Sequence, residues 1–242
     1  MSSLMDTGNA NWFRFLSRWA LLTGITYLGL ILAIFTLVIP ASQNSPLPET
    51  YFELVAATRS PIFYRLTIAF DIVTNLALGG LLITLAALLI HHAPIRSTFI
   101  AACGLGMVSG FIGACLRLAG TGALAANYLT ATPGEQATIL QSYLELLRLV
   151  NILFSAGGLM AGIGLMLATS VAWSTAQFPR WPTVLLALTG LVEILKAVIE
   201  LATGADLGLL GLLGAILLII ALFAVASVFW RRMPVRQAEL AS

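Results

Sequence analysis

Glu193, Lys196 and Glu200 place three formal charges inside an otherwise apolar stretch, Trp181 to Gly204. At about 100° per residue, the i, i+3, i+7 spacing brings their side chains within roughly 60° of one another on a helix. Charge in a bilayer is costly, so such residues face a protein interior or a water-filled cavity and mark binding sites, ion paths or proton relays. This stripe could cradle a small zwitterion or neutralise itself as a structural pair. It could also pass a proton through Glu193. Schiff-base chemistry on Lys196, with Glu193 or Glu200 as counter-ion, is chemically open to it. Six helices, with the lysine in the fifth, argue against a retinal protein. Lys196 is the only lysine in the chain.

Composition explains why those charges need an explanation. The chain has 242 residues, of which 60% are hydrophobic and 9% charged. A soluble domain carries about 25% charged residues, so this chain belongs in a membrane. The net charge of +2 comes from arginines near helix ends and excludes a nucleic-acid partner. Cys103 and Cys115 would lie about 18 Å apart along one helix, beyond disulfide reach, and read as small core residues.

Six apolar segments are long enough to span, at roughly 19–40, 66–90, 97–120, 146–172, 181–203 and 207–230. Proline and glycine punctuate the gaps, at Pro40, Pro48, Pro94, Pro133, Pro179 and Gly204. The expectation is an all-α polytopic membrane protein. It has a cytoplasmic segment 1–18, a six-helix domain 19–230 and a cytoplasmic tail 231–242. The first apolar run, preceded by Arg14 and Arg18, is too long for a signal peptide and reads as a retained helix. With the N-terminus inside, Arg14, Arg18, Arg96, Arg180, Arg231, Arg232 and Arg236 are cytoplasmic. Only Arg59 and Arg65 fall in outer loops. Both termini are therefore expected in the cytoplasm, in a bacterial inner membrane. Two outer connections are long: 41–65, where Pro48 to Ala57 reads as an interfacial helix, and 121–145, where Thr132-Pro133-Gly134-Glu135-Gln136 can cap a second.

That topology sets depths. Glu193 falls about 18 Å above the inner end of its helix, and Glu200 about 28 Å. At similar heights the second helix offers Asp71 and Asn75, the third Arg117, and the fourth Arg148, Asn151 and Ser155, with Glu145 one turn beyond. The candidate ligand-binding set is thus Asp71, Asn75, Arg117, Arg148, Asn151, Glu193, Lys196 and Glu200, gathered toward the outer leaflet. Asp71, Glu145, Glu193 and Glu200 face Arg117, Arg148 and Lys196, leaving one carboxylate in excess. Asp71–Arg117 and pairs within the Glu193–Lys196–Glu200 stripe are both geometrically open.

No catalytic, metal or cofactor site is expected. His91 and His92 lie at the inner boundary, far from the cluster, and no zinc triad, Ser–His pair or HExxH motif occurs. The glycines of the third, fourth and sixth helices read as packing contacts. The functional expectation is a non-enzymatic protein with an outward-facing polar pocket for a small polar ligand, a lipid headgroup or a partner. The alternatives are a proton-coupled transporter or channel using Glu193 and Lys196, and an accessory subunit of a larger membrane complex. Expected partners are membrane lipids and either a small polar ligand or a partner membrane subunit.

The turn Gln177-Phe178-Pro179-Arg180-Trp181-Pro182, with Gly190 and with Arg117 late in the third helix, resembles the bacterial family called domain of unknown function 4386. The likeness in element order covers roughly 20–230. It implies about six helices and no particular activity.

Overall fold

Lipid offers a backbone no hydrogen-bond partners, so a chain this apolar must satisfy its N–H and C=O groups within helices. The computed structural model describes residues 2–239 except 44, 46, 176–178 and 205–206, and every long element in it is helical. α1 runs Ser2–Ala33 and passes through a π-helical turn, Ile34–Val38, into α2, Ile39–Ser42. Pro40 lacks the N–H that would continue the α-ladder, and the turn before it opens accordingly. After a short 3-10 turn, Glu49–Tyr51, come α3 (Phe52–Arg59) and α4 (Pro61–Leu89). α5 (Pro94–Gly106) and α6 (Val108–Tyr128) are separated only by Met107. The remaining helices are α7 (Pro133–Thr175), α8 (Arg180–Thr203) and α9 (Gly208–Glu239).

Five helical stretches are long and apolar enough to cross a membrane: Trp12–Val38, Pro61–Leu89, Pro94–Tyr128, Pro133–Thr175 and Leu210–Val228. The three-charge helix, α8, stands outside that set, yet it packs as a wall between α7 and α9. Chain neighbours are spatial neighbours throughout. α1 packs on α4, α4 on α5 and α6, these on α7, α7 on α8, and α8 on α9. α9 then returns to α1, and the Ser17 hydroxyl donates to the Ala226 carbonyl at 3.2 Å across that seam. The walls form a closed ring.

The two tightest backbone contacts bring helices together. A Cβ added at Gly79 would sit 2.9 Å from the Gly104 carbonyl oxygen, so α4 and α5 touch main chain to main chain. A Cβ at Gly162 would sit 2.7 Å from the Gly190 oxygen, which locks α7 to α8 the same way. Without a hydrophobic drive between helices in lipid, such close approach supplies the packing energy. Buried threonines bond back into their own helices: Thr74 donates to the Phe70 carbonyl at 2.7 Å and Thr189 to that of Leu185 at 2.9 Å. Large apolar side chains such as Ile62, Ile95, Phe99 and Leu105 point outward, as lipid contact requires.

Two expectations are revised. Residues 121–145 are not a loop with its own interfacial helix. α6 continues to Tyr128, and α7 starts at Pro133 and runs unbroken for 43 residues. The cause is local. Both the N–H and the hydroxyl of Thr132 donate to the Glu135 carboxylate at 2.7 Å, the glutamate half of a capping box at the start of the helix. Beyond Gly134, no proline or glycine interrupts it before Gly157. The third apolar segment is likewise two helices, broken at Met107. The helix expected over Pro48–Ala57 is present as the 3-10 turn and α3, and its Glu53, Leu54, Val55, Ala56 and Ala57 are buried. Gln177 and Phe178 lie outside the described residues, as do the side chains of Trp230, Arg231, Arg232 and Arg236.

Buried apolar side chains form two clusters. One, around Leu81, Leu82, Leu165 and Leu222, fills the end of the ring near the α4–α5 turn. The other, around Leu54, Tyr64, Ile68 and Tyr143, fills the α3 end. Between them lies a polar layer.

Candidate functional site

Arg117 organises one side of that layer. Its Nε donates to Glu53 Oε2 at 2.7 Å, its Nη2 to Glu53 Oε1, and its Nη1 to Asp71 Oδ2 at 3.2 Å. Only arginine can fork onto one carboxylate and still reach another. Glu53 and Asp71 are 5% and 7% exposed, so both carboxylates depend on this one cation. Asn75, one turn from Asp71, donates through Nδ2 to the Asp71 carbonyl at 2.9 Å and to Oδ1 at 3.0 Å. The Phe154 ring lies 6.0 Å from the guanidinium carbon, and the Tyr64 hydroxyl donates to the Arg117 carbonyl at 3.4 Å. The network ties α3 and α4 to α6.

The opposite side belongs to α8. Lys196 Nζ lies 3.7 Å from Glu200 Oε1, and the Ser155 hydroxyl donates to Glu200 Oε2 at 2.8 Å. The Leu207 N–H adds a donor to Glu200 Oε1 at 3.4 Å. Gly204 ends α8 in the left-handed conformation, φ 68°, and its N–H caps the Glu200 carbonyl at 2.8 Å. Glu200 therefore has three donors or cations. Glu193, two turns deeper, has no hydrogen bond and no ion pair among the described residues. Its carboxylate fits between α7 and α9 because glycine faces it on both. A Cβ at Gly158 would lie 3.3 Å from Oε2, and one at Gly214 2.8 Å from Oε1.

Between the two sides is a cavity of about 520 Å³. All eight residues expected from sequence line it: Asp71, Asn75, Arg117, Arg148, Asn151, Glu193, Lys196 and Glu200. They do not play equal parts. Asp71, Arg117, Lys196 and Glu200 are paired with one another or with Glu53. Arg148 and Asn151 are exposed where the cavity opens. Glu145 stays out of the cluster: it is exposed, and its carboxylate accepts from Gln141 at 3.4 Å. Leu78, Met107, Ala161, Leu165 and Leu218, all part of the buried cluster below, make an apolar floor.

Sequence reasoning missed two residues. Glu53 supplies the strongest partner of Arg117 from a helix read as a surface connector. An acid embedded in Phe52-Glu53-Leu54-Val55-Ala56-Ala57 was the available signal. Tyr27 of α1 also lines the cavity, within electrostatic range of Glu193 and Asp71, and nothing in its apolar run marks it out.

Among the described residues, no group of three or more histidine, cysteine, aspartate or glutamate side chains is placed to hold a metal ion. What the arrangement can do is present a carboxylate, amide, hydroxyl and guanidinium to a molecule of modest size, over an apolar floor. No protein-family model, curated protein or solved structure matches this chain.

Proposed function

We propose that the protein is a six-helix membrane protein, akin to the family called domain of unknown function 4386, whose cavity binds a small polar molecule or lipid headgroup. In this reading α8 also spans and brings the total to six, both termini are cytoplasmic, and the cavity opens toward the outer face of a bacterial inner membrane. The observation that carries it is the contrast within one cavity. Four lining carboxylates and cations are tied up in ion pairs, while Glu193, Arg148 and Asn151 line the same space without such a partner among the described residues. A volume of about 520 Å³ is that of a small-molecule site, and convergent polar groups over an apolar floor are its usual make-up.

The test is a thermal-shift screen of the purified protein against small amines, acids, zwitterions, polyols and headgroup analogues. At least one should raise the melting temperature in a saturable way, and Asn151→Trp, which would plug the opening, should abolish the rise. No shift from any compound would overturn the reading. The orientation has its own test. A single cysteine placed at Gln136 should react with a membrane-impermeant maleimide added to intact cells, and labelling only after lysis would reverse the topology.

A proton-coupled transporter is the second reading, and the break at Met107 favours it. Met107 lines the cavity, and interrupted helices beside a mid-membrane site are a recurrent feature of transporters. Glu193 and Lys196 would be its coupling groups.

A further inference from the structure

The charges around the cavity do not balance, and the imbalance has a location. Arg117 serves two carboxylates, Glu53 and Asp71. Lys196 serves Glu200. Glu193 is left over at the deep end, where its surroundings are the apolar floor and two glycines. Arg148 does not neutralise it. Arg148 is ten residues from Gly158 on α7, hence about 15 Å away along the helix, and it is exposed.

An ionised carboxylate only accepts hydrogen bonds, and one held away from water needs donors or a cation. Among the described residues no donor bonds to Glu193, and Lys196, one turn along α8, acts on it only through space because its direct contact is with Glu200. Gly214 lets Oε1 pack close against α9, while Oε2 faces the room left at Gly158, where a methyl would meet that oxygen and nothing else within 4 Å. Tyr27 adds an aromatic wall to the same space, which suits a cation more than an anion. Resting on the reading of the cavity as a binding site, we propose that the group it recognises is a primary organic ammonium, with Glu193 accepting its N–H bonds. The rest of the ligand extends over the apolar floor toward the opening, where Asn151 and Arg148 meet its far end. An N–H donor is preferred over a quaternary ammonium because the vacant positions on Glu193 are acceptors.

The experiment uses three probes of one shape, n-butylammonium, butyrate and 1-butanol, with affinity read by isothermal titration on the detergent-solubilised full chain. The expected result is saturable binding of butylammonium alone. Glu193→Gln should weaken it roughly tenfold or more, the cost of removing one partner of an enclosed charge pair. Gly158→Ala is the companion variant, because alanine only strengthens the helix while its methyl crowds Glu193 Oε2. It should weaken butylammonium about threefold with a melting temperature no lower than that of the unmodified protein. Binding of butyrate or butanol but not butylammonium would overturn the ammonium assignment and leave the binding site standing. Butylammonium binding that is indifferent to both variants would place the ammonium elsewhere and also overturn it. No binding by these probes or by any compound in the wider screen would overturn both readings.

Discussion

Arg117→Met will destabilise the protein by about 3–5 kcal/mol, because it leaves two buried carboxylates facing each other with no cation. Glu53 and Asp71 come from different helices, α3 and α4, and Arg117 is the one cation that both contact. The measurement is the midpoint of unfolding in mixed detergent micelles, with Lys196→Met as the comparison. Lys196→Met should cost clearly less. Its contact with Glu200 is long, at 3.7 Å, and Glu200 keeps the Ser155 hydroxyl and the Leu207 N–H as donors. Arg117→Lys should fall between wild type and Met, since one ammonium cannot fork onto Glu53 and also reach Asp71. The triple change Arg117→Met, Glu53→Gln, Asp71→Asn should recover much of the loss, because no charge then remains unpaired. Equal destabilisation by Arg117→Met and Lys196→Met would show that the clamp does not bear on stability as described.

The second large effect is at the α7–α8 contact. A Cβ at Gly162 would lie 2.7 Å from both the Gly190 carbonyl oxygen and Ile194 Cγ1. Neither backbone can yield without separating the helices, so Gly162→Ala should cost about 1–3 kcal/mol and Gly162→Leu more. The damage should spread to binding, since α8 carries Glu193, Lys196 and Glu200 and would be pushed away from the cavity. Gly134→Ala is the control. A Cβ there meets nothing within 4 Å, so stability should stay within about 0.5 kcal/mol of wild type. If Gly162→Leu unfolded no more easily than Gly134→Ala, the close approach of α7 and α8 would be wrong.

The helices and the candidate site were legible in the sequence to different degrees. Apolar runs and proline punctuation pointed to an all-helical chain with several helices long and apolar enough to cross a membrane, because in lipid those two signals leave few alternatives. Face and depth along each helix then brought eight residues to one cavity, since both follow from helix geometry alone. Pair assignment was not legible. Whether Asp71 meets Arg117 depends on helix rotation and tilt, which packing decides. Glu53 was passed over for a related reason: α3 folds back over the bundle, and in a chain read as linear spans the acid within an apolar connector is easily taken for a surface charge. The length of α7 was misjudged because Pro133 and Gly134 resemble loop punctuation. They serve instead as the first turn of a capped helix.

The closed ring has a consequence for assembly. Every wall but one is laid against its predecessor in the chain, so the interfaces α1–α4 through α8–α9 are of low contact order. A chain inserted from its N-terminus can therefore bury each new helix as it arrives. The exception is α9 against α1, which joins Ser17 to Ala226 and cannot form until nearly the whole chain has been made. Until that last step, α8 has packed only against α7, and Glu193, reaching between α7 and α9, has an open groove on one side. The polar layer is thus completed by the final helix, and closing the seam is the event that turns a charged groove into a cavity.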